Sequence, residues 1–338
     1  MKKVLYIATT ADSRNRIDGE TIKCRLLKEY FCGLSNIQLI SVDTDHWQKH
    51  IFKLIFLILV NYFQCDDIIV SSADRGAHIV LNFFRKIRTK KKIYYFVIGG
   101  SLSRNIQQKQ WNVKDYQALK CIYVEAETLK QDLNELNIHN VEVLNNFRKI
   151  EPYHSKYQES KKTRFVYFGR VIKEKGVEEA ISLIERLNHE NIECSLDIYG
   201  QVKEEYLNEI KKAFHQNIRY HGVINPNGKD EYEILSQYDI FIFPTEYKGE
   251  CLPGALIDAY IAGLAVLASN WKYAHEYILD NQNGKIFEYQ NYEDMYKKAI
   301  ELIREGHLQE YKLESLKLSK KYDIDELLKD FKKELTEE

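Results

Sequence analysis

The sequence lacks four features that would each point to a particular class of protein. Its formal net charge is only −1, so no overall charge favours nucleic acid or an acidic partner. Its six cysteines include no C-x-x-C pair, which favours reduced, mostly buried thiols over a disulfide framework or a zinc site. No G-x-G-x-x-G follows the first predicted strand, which disfavours a dinucleotide-dependent oxidoreductase. Internal repeats and low-complexity segments are also absent.

The sequence also lacks an apolar run long enough to cross a bilayer. The N-terminal MKKVLYIATT alternates like a strand and has no cleavage site, so we predict no signal peptide. The most apolar segment, IFKLIFLILVNYF at 51–63, contains Lys53 and falls well short of the ~20 residues that a spanning helix needs. We predict a buried or half-buried helix here, with a helix lying on a membrane surface as the alternative.

Strand-like and helix-like segments alternate along most of the chain. Strands are predicted at 3–9, 37–43, 67–72, 92–98, 121–124, 141–144, 164–169, 194–199, 217–221, 239–244 and 265–269, with helical patterns between most of them. Short apolar strands separated by helices predict parallel sheets covered on both faces. The 338 residues are comfortable for two domains.

We therefore predict an α/β protein with two Rossmann-like, doubly wound domains that face a cleft. The N-terminal domain covers 1–150, and the polar, charged segment 151–162 is a linker. The second domain covers 163–315, and helices in 316–338 pack back toward the first domain. Ligands of such sheets bind beyond the C-terminal ends of the strands.

The first candidate site segment is YFGRVIKEKG at 167–176. Gly169 permits a tight turn after the predicted strand, and Arg170 and Lys175 precede the helix that begins near Gly176. A guanidinium and an ammonium beside a helix N-terminus can clamp a diphosphate, although two solvated surface cations are the alternative. In DIYG, Gly200 either lets the backbone approach a ligand or marks a plain turn.

The second candidate segment is EYKGECLPGALID at 246–258. Pro253 suits a helix start and Gly254 leaves the helix N-terminus sterically open, where free amides favour an anion. Glu250 precedes this start, and Asp258 lies inside the helix. Two carboxylates on either side of a phosphate site match a ligand with hydroxyls on both sides of a diphosphate, as in a nucleotide sugar. The alternative is a loop acid and a solvated helix acid.

Two charged patterns leave alternatives open. The triplet DTD at 43–45 resembles a metal-binding D-x-D, but it ends a strand of the first domain, and we expect no metal there. RKIRTKKK at 85–92 holds six cations in eight positions. It is either a solvated helix terminus, a contact for anionic lipid headgroups, or a nucleic-acid site, and the absence of interleaved aromatics disfavours the last.

Taken together, four motifs resemble the donor half of GT-B glycosyltransferases of family 4, the retaining group. They are FGRVIKEKG, DIYG, FPTEYKGECLPGALIDAYIAGLAVLAS and HEYILDNQNGKIFE, in order over about residues 163–300. The resemblance implies that Arg170 and Lys175 hold the donor diphosphate. It also implies that Glu250 holds the hydroxyls of the donor sugar and that Asp258 binds the ribose. Arg170, Lys175 and Glu250 are thus the candidate catalytic residues.

Other residues enter the predicted site through the same resemblance. ADSRNRIDGETIKCRLL resembles the glycine loop and first helix of bacterial polysaccharide members, which puts Gly19 near the donor. Pro253 and Gly254 would lie near the sugar and phosphates, and Glu276 occupies the matching position of HEYI.

The sequence departs from the family pattern at several positions. The second acid is Asp258 rather than Glu, Cys251 stands where many relatives have Gly, and Ala265 replaces a usual Pro. VIGGSLSRN at 97–105 has no His where many relatives carry one near the transferred sugar, so no catalytic role transfers there. Gly99, Gly100 and Ser101 would instead shape the acceptor pocket.

The resemblance implies a metal-independent glycosyltransferase of the hexosyl type. It would move a sugar from a nucleotide diphosphate to an acceptor hydroxyl with retention, in capsule, exopolysaccharide or lipopolysaccharide synthesis, without a cofactor. Its partners would be the nucleotide-sugar donor and a glycan or lipid-linked glycan. It would be cytoplasmic, with Arg85–Lys92 as a membrane contact and with no nucleic acid. A nucleotide-sugar epimerase and a non-catalytic donor-binding partner subunit are the alternatives.

Overall fold

Two six-stranded parallel sheets, each flanked by helices, organise the chain. A computed structural model describes residues 1–14, 16–224 and 229–336. One compact unit is Met1–Lys149 together with the chain from Ile324 onward, and the other is Ile150–Asp323. The predicted α/β class with two Rossmann-like domains is confirmed.

The first unit carries its strands in the spatial order β2-β1-β3-β4-β5-β6. The strands are β1 (Lys2–Ala8), β2 (Ile37–Asp43), β3 (Asp67–Ser71), β4 (Ile93–Phe96), β5 (Cys121–Val124) and β6 (Val141–Val143). The helices are α1 (Gly19–Cys32), α2 (Ile51–Tyr62), α3 (Asp74–Lys86), α4 (Leu102–Gln108), α5 (Lys114–Gln117), α6 (Glu127–Glu135), α14 (Ile324–Leu327) and α15 (Lys329–Thr336).

The core of the first unit joins residues from opposite ends of the unit's sequence. Every residue of β3 and β4 is buried, as expected for central strands covered on both faces. Phe331 of α15 packs its ring 5.8 Å from Phe31 of α1 and 5.1 Å from Phe96 of β4, measured between ring centroids. Edge-to-face aromatic packing of this kind adds to the burial of each ring. Helix α15 is therefore an integral part of this core.

The second unit repeats the architecture, with strand order β12-β11-β10-β7-β8-β9. Its strands are β7 (Thr163–Phe168), β8 (Cys194–Tyr199), β9 (Ile218–Tyr220), β10 (Ile240–Phe243), β11 (Ala265–Ser269) and β12 (Gly284–Phe287). Its helices are α7 (Val177–His189), α8 (Glu204–Ile210), α9 (Lys229–Leu235), α10 (Gly254–Ile261), α11 (Ala274–Tyr277), α12 (Tyr292–Arg304) and α13 (Leu308–Ser319).

Helix α7 shows how sequence periodicity builds this unit. Its buried residues recur at helical spacing, so one apolar stripe faces the sheet. The stripe joins residues of β7, β8 and β10 in one core. Because α7 begins directly after the β7 loop, this packing also fixes where that loop lies.

Two helices of the first unit differ from what the sequence predicted. The apolar segment 51–63 does form a helix, but only Ile58 of α2 is buried and Leu54, Leu59 and Tyr62 are half-buried, so the helix is less buried than its composition predicted. Helix α4 was not predicted at all, because only two of its seven residues are aliphatic. Among the described residues, no helix combines the length and the apolar character needed to cross a membrane.

The ends of β7 and β8 meet through two glycines. Gly200 has φ +149°, and a Cβ built on it would lie 1.6 Å from the carbonyl oxygen of Gly169. The N–H of Gly169 also donates to the carbonyl of Tyr199 over 3.1 Å. A side chain at position 200 would force the two loops apart, which explains why DIYG ends in glycine.

We expect Gly200→Ala to destabilise the protein by about 3 kcal/mol, because backbone strain and steric overlap add. Gly306→Ala is the matched control: its φ is +76° but nothing lies within 4 Å of the added Cβ, so about 1 kcal/mol is expected. Urea unfolding of both variants measures the difference. Equal costs at the two positions would contradict the role of the Gly169 contact.

Candidate functional site

Three loops of the second unit meet at one edge of its sheet. Strand β7 lies between β10 and β8, and all three run parallel, so their C-terminal ends are adjacent. The N–H of Glu246 donates to the carbonyl of Glu174 over 2.8 Å, which joins the β10 loop to the β7 loop. Gly176, with φ +76°, lies so close to Pro244 that a Cβ would be 2.1 Å from the proline carbonyl oxygen.

The centre of this edge is a buried ion pair. Lys175, after β7, contacts the carboxylate of Glu250, after β10, and each side chain is only 11% exposed. The Lys175 Nζ lies 5.3 Å from the ring centroid of Phe243 and 5.2 Å from that of Tyr247. Aromatic faces stabilise a cation that has lost part of its hydration. Lys175, which is predicted to hold the donor diphosphate, and Glu250, which is predicted to hold the sugar hydroxyls, therefore lie in direct contact.

Arg170 lies on the exposed side of the same cluster. Its guanidinium carbon is 5.4 Å from the ring centroid of Tyr247. Tyr247 thus contacts both predicted cations, and its own position is set by Thr245, whose Oγ1 accepts from the Tyr247 N–H over 3.2 Å. Thr245 is fully buried, and its Oγ1 lies 3.5 Å from Glu250 Oε2. Two cations, one acid and one aromatic ring form a compact polar site.

The N-terminus of α10 faces this cluster. Pro253 precedes the helix with φ −65°, and Gly254 begins it. Ala255 lies 4.0 Å from where a Cβ on Gly169 would stand, so the helix start and the β7 turn are neighbours. Gly254 and Ala255 are partly exposed, and no described hydrogen bond begins at their N–H groups. Helix amides beside Arg170 suit an anion.

Asp258 lies deeper than the other predicted ligands. Only 2% of it is exposed, and Tyr232 of α9 donates its hydroxyl to Asp258 Oδ1 over 3.3 Å. The structure therefore places Asp258 on the buried side of α10, beneath α9, while Glu250 lies in the loop before the helix. The two acids therefore lie near the same helix in different environments, Asp258 buried within it and Glu250 in the loop before it.

Glu276 lies on the exposed side of α11, next to the same loop. The neighbouring Tyr277 brings its hydroxyl within 3.7 Å of the Cys251 Sγ. Trp271 also donates its ring N–H to the Cys251 carbonyl over 3.0 Å. Cys251 is buried at this junction. The Cys251 side chain, at a position where many relatives have glycine, therefore packs against Tyr277.

The remaining predicted residues belong to the first unit. Gly19 begins α1, and the adjacent Glu20 accepts from the Ala73 N–H over 2.8 Å. Ser101 donates to Asp74 Oδ2 over 2.7 Å, and Asn105 donates to the same oxygen over 2.6 Å. The starts of α1, α3 and α4 are thereby joined.

Gly99 and Gly100 lie in the turn that leads to Ser101, and Gly99 has φ +76°. Lys23 of α1 supports this turn, because its Nζ donates to the carbonyl of Val97 over 3.0 Å and contacts Glu125 at 2.5 Å. Lys23 is 2% exposed, so this is a fixed, buried connection. Buried contacts of Lys23 thus connect the turn that carries the predicted acceptor residues to α1.

A polar cavity of about 280 Å³ opens at the C-terminal edge of the first sheet. Thr9, Thr44 and Ser72, which follow β1, β2 and β3, line it together with Glu20 and Arg75. Burial raises the pKa of the Glu20 carboxyl above its usual value. The cavity offers hydroxyls, a carboxyl and a guanidinium, which are groups that bind sugar hydroxyls or phosphates.

The D-x-D-like triplet has a structural role. Asp43 accepts from the N–H groups of Thr10 and Asp12, each over 3.1 Å. Asp45 pairs with Arg14 and Arg16. The triplet therefore links the loops that follow β1 and β2. No group of three His, Cys, Asp or Glu side chains suited to a metal ion occurs in the described parts of the chain.

Sequence reasoning missed Tyr247, Thr245, Tyr232 and Asp74. Tyr247 and Thr245 lie inside the quoted stretch FPTEYKGE, but nothing in that stretch indicates that Tyr247 contacts Arg170 and Lys175 of the β7 loop. Asp74 was visible only as a polar residue at the start of a predicted helix. Tyr232 had no signal, because its partner Asp258 lies 26 residues away.

Two Rossmann-like units, each built on a six-stranded parallel sheet with flanking helices, are typical of the GT-B class of fold. Solved structures show the same architecture across the chain. Sucrose-phosphate synthase from Thermosynechococcus elongatus aligns with TM-score 0.79 at 9% identity, covering 98% of each chain. Anabaena HepE, solved with UDP-glucose, aligns with TM-score 0.71 at 11% identity, covering 99% of this chain and all of that one. These similarities establish the fold.

Residues 149–315 match the family Glycosyl transferases group 1, so the second unit contains a group 1 glycosyltransferase domain. A poly(ribitol-phosphate) alpha-N-acetylglucosaminyltransferase of Staphylococcus aureus is 23% identical over 62% of this chain and 45% of that protein. This chain therefore spans less than half the length of that relative. An uncharacterised glycosyltransferase of Methanocaldococcus jannaschii is 26% identical over 84% of this chain and 79% of that protein.

Single substitutions in the ion pair should cost more than the double substitution. Lys175→Met and Glu250→Gln each leave one buried group without its partner, and we expect a loss of about 2–3 kcal/mol for each. In the double variant, we expect the total to fall about 1 kcal/mol or more below the sum. Urea unfolding of the four proteins measures the coupling; simple additivity would contradict the buried pair.

A second prediction concerns pH. Burial raises the pKa of the Asp74 carboxyl above its usual value. The native state then holds this proton at pH values where the unfolded chain has lost it, so this group makes stability fall as pH rises through that window. Asp74→Asn should therefore stabilise the protein at neutral pH, with the gain shrinking toward acid.

Thermal unfolding from about pH 7 down to about pH 4 tests this, since the unshifted Asp pKa is about 3.9. Asp330→Asn, on the same unit with a 94% exposed side chain, is the control and should show no pH-dependent gain. A less stable Asp74→Asn protein at neutral pH would contradict the burial argument.

Proposed function

We propose that the chain is a glycosyltransferase that moves a sugar from a nucleotide diphosphate donor to an acceptor hydroxyl, with retained anomeric configuration. The observation that carries the proposal is the convergence of Arg170, Lys175, Glu250 and the start of α10 at one sheet edge. These residues lie inside the matched group 1 domain. Their chemistry suits a diphosphate on one side and sugar hydroxyls on the other.

In the proposed reaction, the bond from the anomeric carbon to the diphosphate oxygen breaks as the acceptor oxygen attaches on the same face. The acceptor proton passes to the leaving diphosphate. Arg170, Lys175 and the α10 amides stabilise the charge that develops on this leaving group, an electrostatic effect of preorganised donors. Glu250 orients the sugar through its hydroxyls, and Asp258 takes the ribose. Gly169, Gly200, Pro253 and Gly254 let the backbone approach the donor, and Glu276 borders it.

In this proposal, the acceptor binds to the first unit. The polar cavity lined by Glu20 and Arg75, with the turn at Gly99–Ser101, offers groups for a glycan or a lipid-linked glycan. A pathway of bacterial surface-polysaccharide synthesis fits relatives such as the S. aureus enzyme named for poly(ribitol-phosphate). UDP-sugars are the first donors to test, since HepE was solved with UDP-glucose.

The proposal needs neither a metal nor another cofactor, because Arg170, Lys175 and helix amides supply the positive charge at the diphosphate. The six free cysteines suit a reducing, cytoplasmic location. A peripheral contact with the membrane through Arg85–Lys92 would bring the enzyme to a lipid-linked acceptor. The proposed function involves no nucleic-acid partner.

Two rival functions use the same donor site. A nucleotide-sugar epimerase would convert the donor sugar without an acceptor, so analysis of the sugar after incubation with donor alone separates it from a transferase. A non-catalytic partner subunit would bind donor without turnover. The non-catalytic alternative is supported by two differences from the family pattern, Asp258 in place of Glu and Cys251 in place of the Gly of many relatives.

Calorimetric titration against UDP-, GDP-, ADP- and dTDP-sugars tests the donor site. We expect one donor class to bind, and Arg170→Ala to weaken it about 10- to 100-fold, since hydrogen bonds to charged groups contribute about 1.5–3 kcal/mol. Glu250→Ala should weaken it as well.

Lys173→Ala is the matched control, because this exposed cation lies in the same turn outside the cluster, and it should change binding little. Failure of every donor to bind folded wild-type protein would falsify the donor-site assignment. Turnover is then read as release of the nucleoside diphosphate with candidate acceptors.

A further inference from the structure

Helix α2 exposes an unusual amount of apolar surface. Phe52 is 85% exposed, Phe56 is 65% exposed, and Phe63, directly after the helix, is 79% exposed. Ile55 and Val60 are exposed as well. Large exposed apolar patches on a folded unit mark interaction surfaces with a partner or a membrane. The apolar sequence of α2 is therefore not explained by the core of its own unit.

The surroundings of α2 are strongly cationic. The segment Arg85–Lys92 lies against the end of the helix: Tyr62 donates its hydroxyl to Thr89 Oγ1 over 2.9 Å, and the Lys91 Nζ lies 5.0 Å from the Tyr62 ring centroid. In this segment Lys86, Arg88, Lys90 and Lys92 are exposed. No ion pair is described for these four among the residues that the structure covers.

Acidic residues are absent from the two stretches that build this surface, although Arg85 pairs with the buried Asp115 of α5. The stretch 46–65, which contains α2, has no Asp or Glu. The stretch 75–114, which contains α3 and the basic segment, has ten Lys and Arg and again no Asp or Glu. With a net charge of −1 for the full chain, this region is a local excess of positive charge. The apolar helix and the cations thus form one amphipathic surface.

An apolar groove continues this surface between α2 and α3. It has a volume of about 140 Å³ and is lined by Trp47, Ile51 and Ile55 from one side and by Ile79, Val80 and Phe83 from the other. A dry groove beside exposed phenylalanines fits hydrocarbon. Its lining would accept the upper part of one lipid chain.

A second copy of the chain fits this surface poorly. A symmetric dimer presents the same patch on both sides, so two cation-rich rims would face each other. An anionic bilayer complements both parts of the surface, because its phosphates pair with the cations while its acyl region receives the phenylalanines.

We propose that α2 and the segment Arg85–Lys92 dock the first unit onto an anionic lipid bilayer, with α2 lying in the plane of the headgroups. The 12-residue helix is about 18 Å long at 1.5 Å per residue, which suits an interfacial helix. This inference extends the proposed contact at Arg85–Lys92 and assigns the insertion to Phe52, Phe56 and Phe63. It does not depend on the transferase reaction.

Co-sedimentation with vesicles tests the docking surface. Wild-type protein should bind vesicles of phosphatidylcholine mixed with phosphatidylglycerol and should bind pure phosphatidylcholine much more weakly. Added salt should weaken binding, because exposed charges are screened. Equal sedimentation with the two vesicle types, or no sedimentation with either, overturns the proposal.

Two double variants separate the parts of the surface. Phe52→Ser with Phe56→Ser should reduce vesicle binding about tenfold or more, through lost apolar contact. Lys90→Gln with Lys92→Gln should reduce it by a similar factor and flatten its salt dependence. All four side chains are exposed, so folding should be kept, and circular dichroism checks this.

The matched controls lie on the second unit. Leu313→Ser removes an exposed apolar side chain, and Lys211→Gln with Lys212→Gln removes two exposed cations. Neither should change vesicle binding. If the controls weaken binding as much as the α2 variants do, the docking surface is assigned wrongly.

Size-exclusion chromatography of the same proteins distinguishes a dimer. A wild-type dimer that the Phe52→Ser and Phe56→Ser variant converts to monomer, without vesicle binding, would overturn the membrane assignment. Donor titration of each variant separates this result from the proposed function. A variant that loses vesicle binding but keeps its donor affinity supports the docking surface. If the wild-type protein binds no donor, only the proposed reaction is contradicted, and the docking surface is not.

Discussion

Parallel pairing of β7 with both β8 and β10 is the constraint on which the cluster of Arg170, Lys175 and Glu250 depends. The loops that follow parallel strands begin at the same edge of the sheet. Lys175 and Glu250 therefore come into contact although they lie 75 residues apart in the sequence. A shift of one residue in either pairing would turn the strand side chains to the opposite face. The glycine contact at the ends of β7 and β8 then sets how closely the loops approach.

The ion pair at this edge balances one buried positive charge against one buried negative charge. Lys175 and Glu250 satisfy each other beside Phe243 and Tyr247, where either charge alone would be costly. In the proposed function, a diphosphate bound next to Arg170 would compete for the lysine, and the carboxylate would then be able to accept hydrogen bonds from sugar hydroxyls. Ligand binding and rearrangement of the ion pair would thereby be coupled.

Local patterns carried most of what the sequence could predict. Pro253 and Gly254 correctly indicated where α10 begins, and glycines marked the strand ends at 169 and 200. The depth of Asp258 could not be predicted, because it depends on how α9 packs over α10. The exposure of α2 could not be predicted either, since apolar composition does not say whether a core or another surface covers a helix.

The core of the first unit includes side chains from both ends of the described chain. Phe331, Leu328 and Leu335 fill the space beside Phe31 and Phe96, so this core is incomplete until residues 324–336 have been synthesised. The second unit, by contrast, uses one continuous stretch, Ile150–Asp323. During translation the strands of the first unit are made first, but the second unit is complete in sequence before α14 and α15 of the first unit have been made. The order of completion is thus the reverse of the usual N-terminal-first sequence.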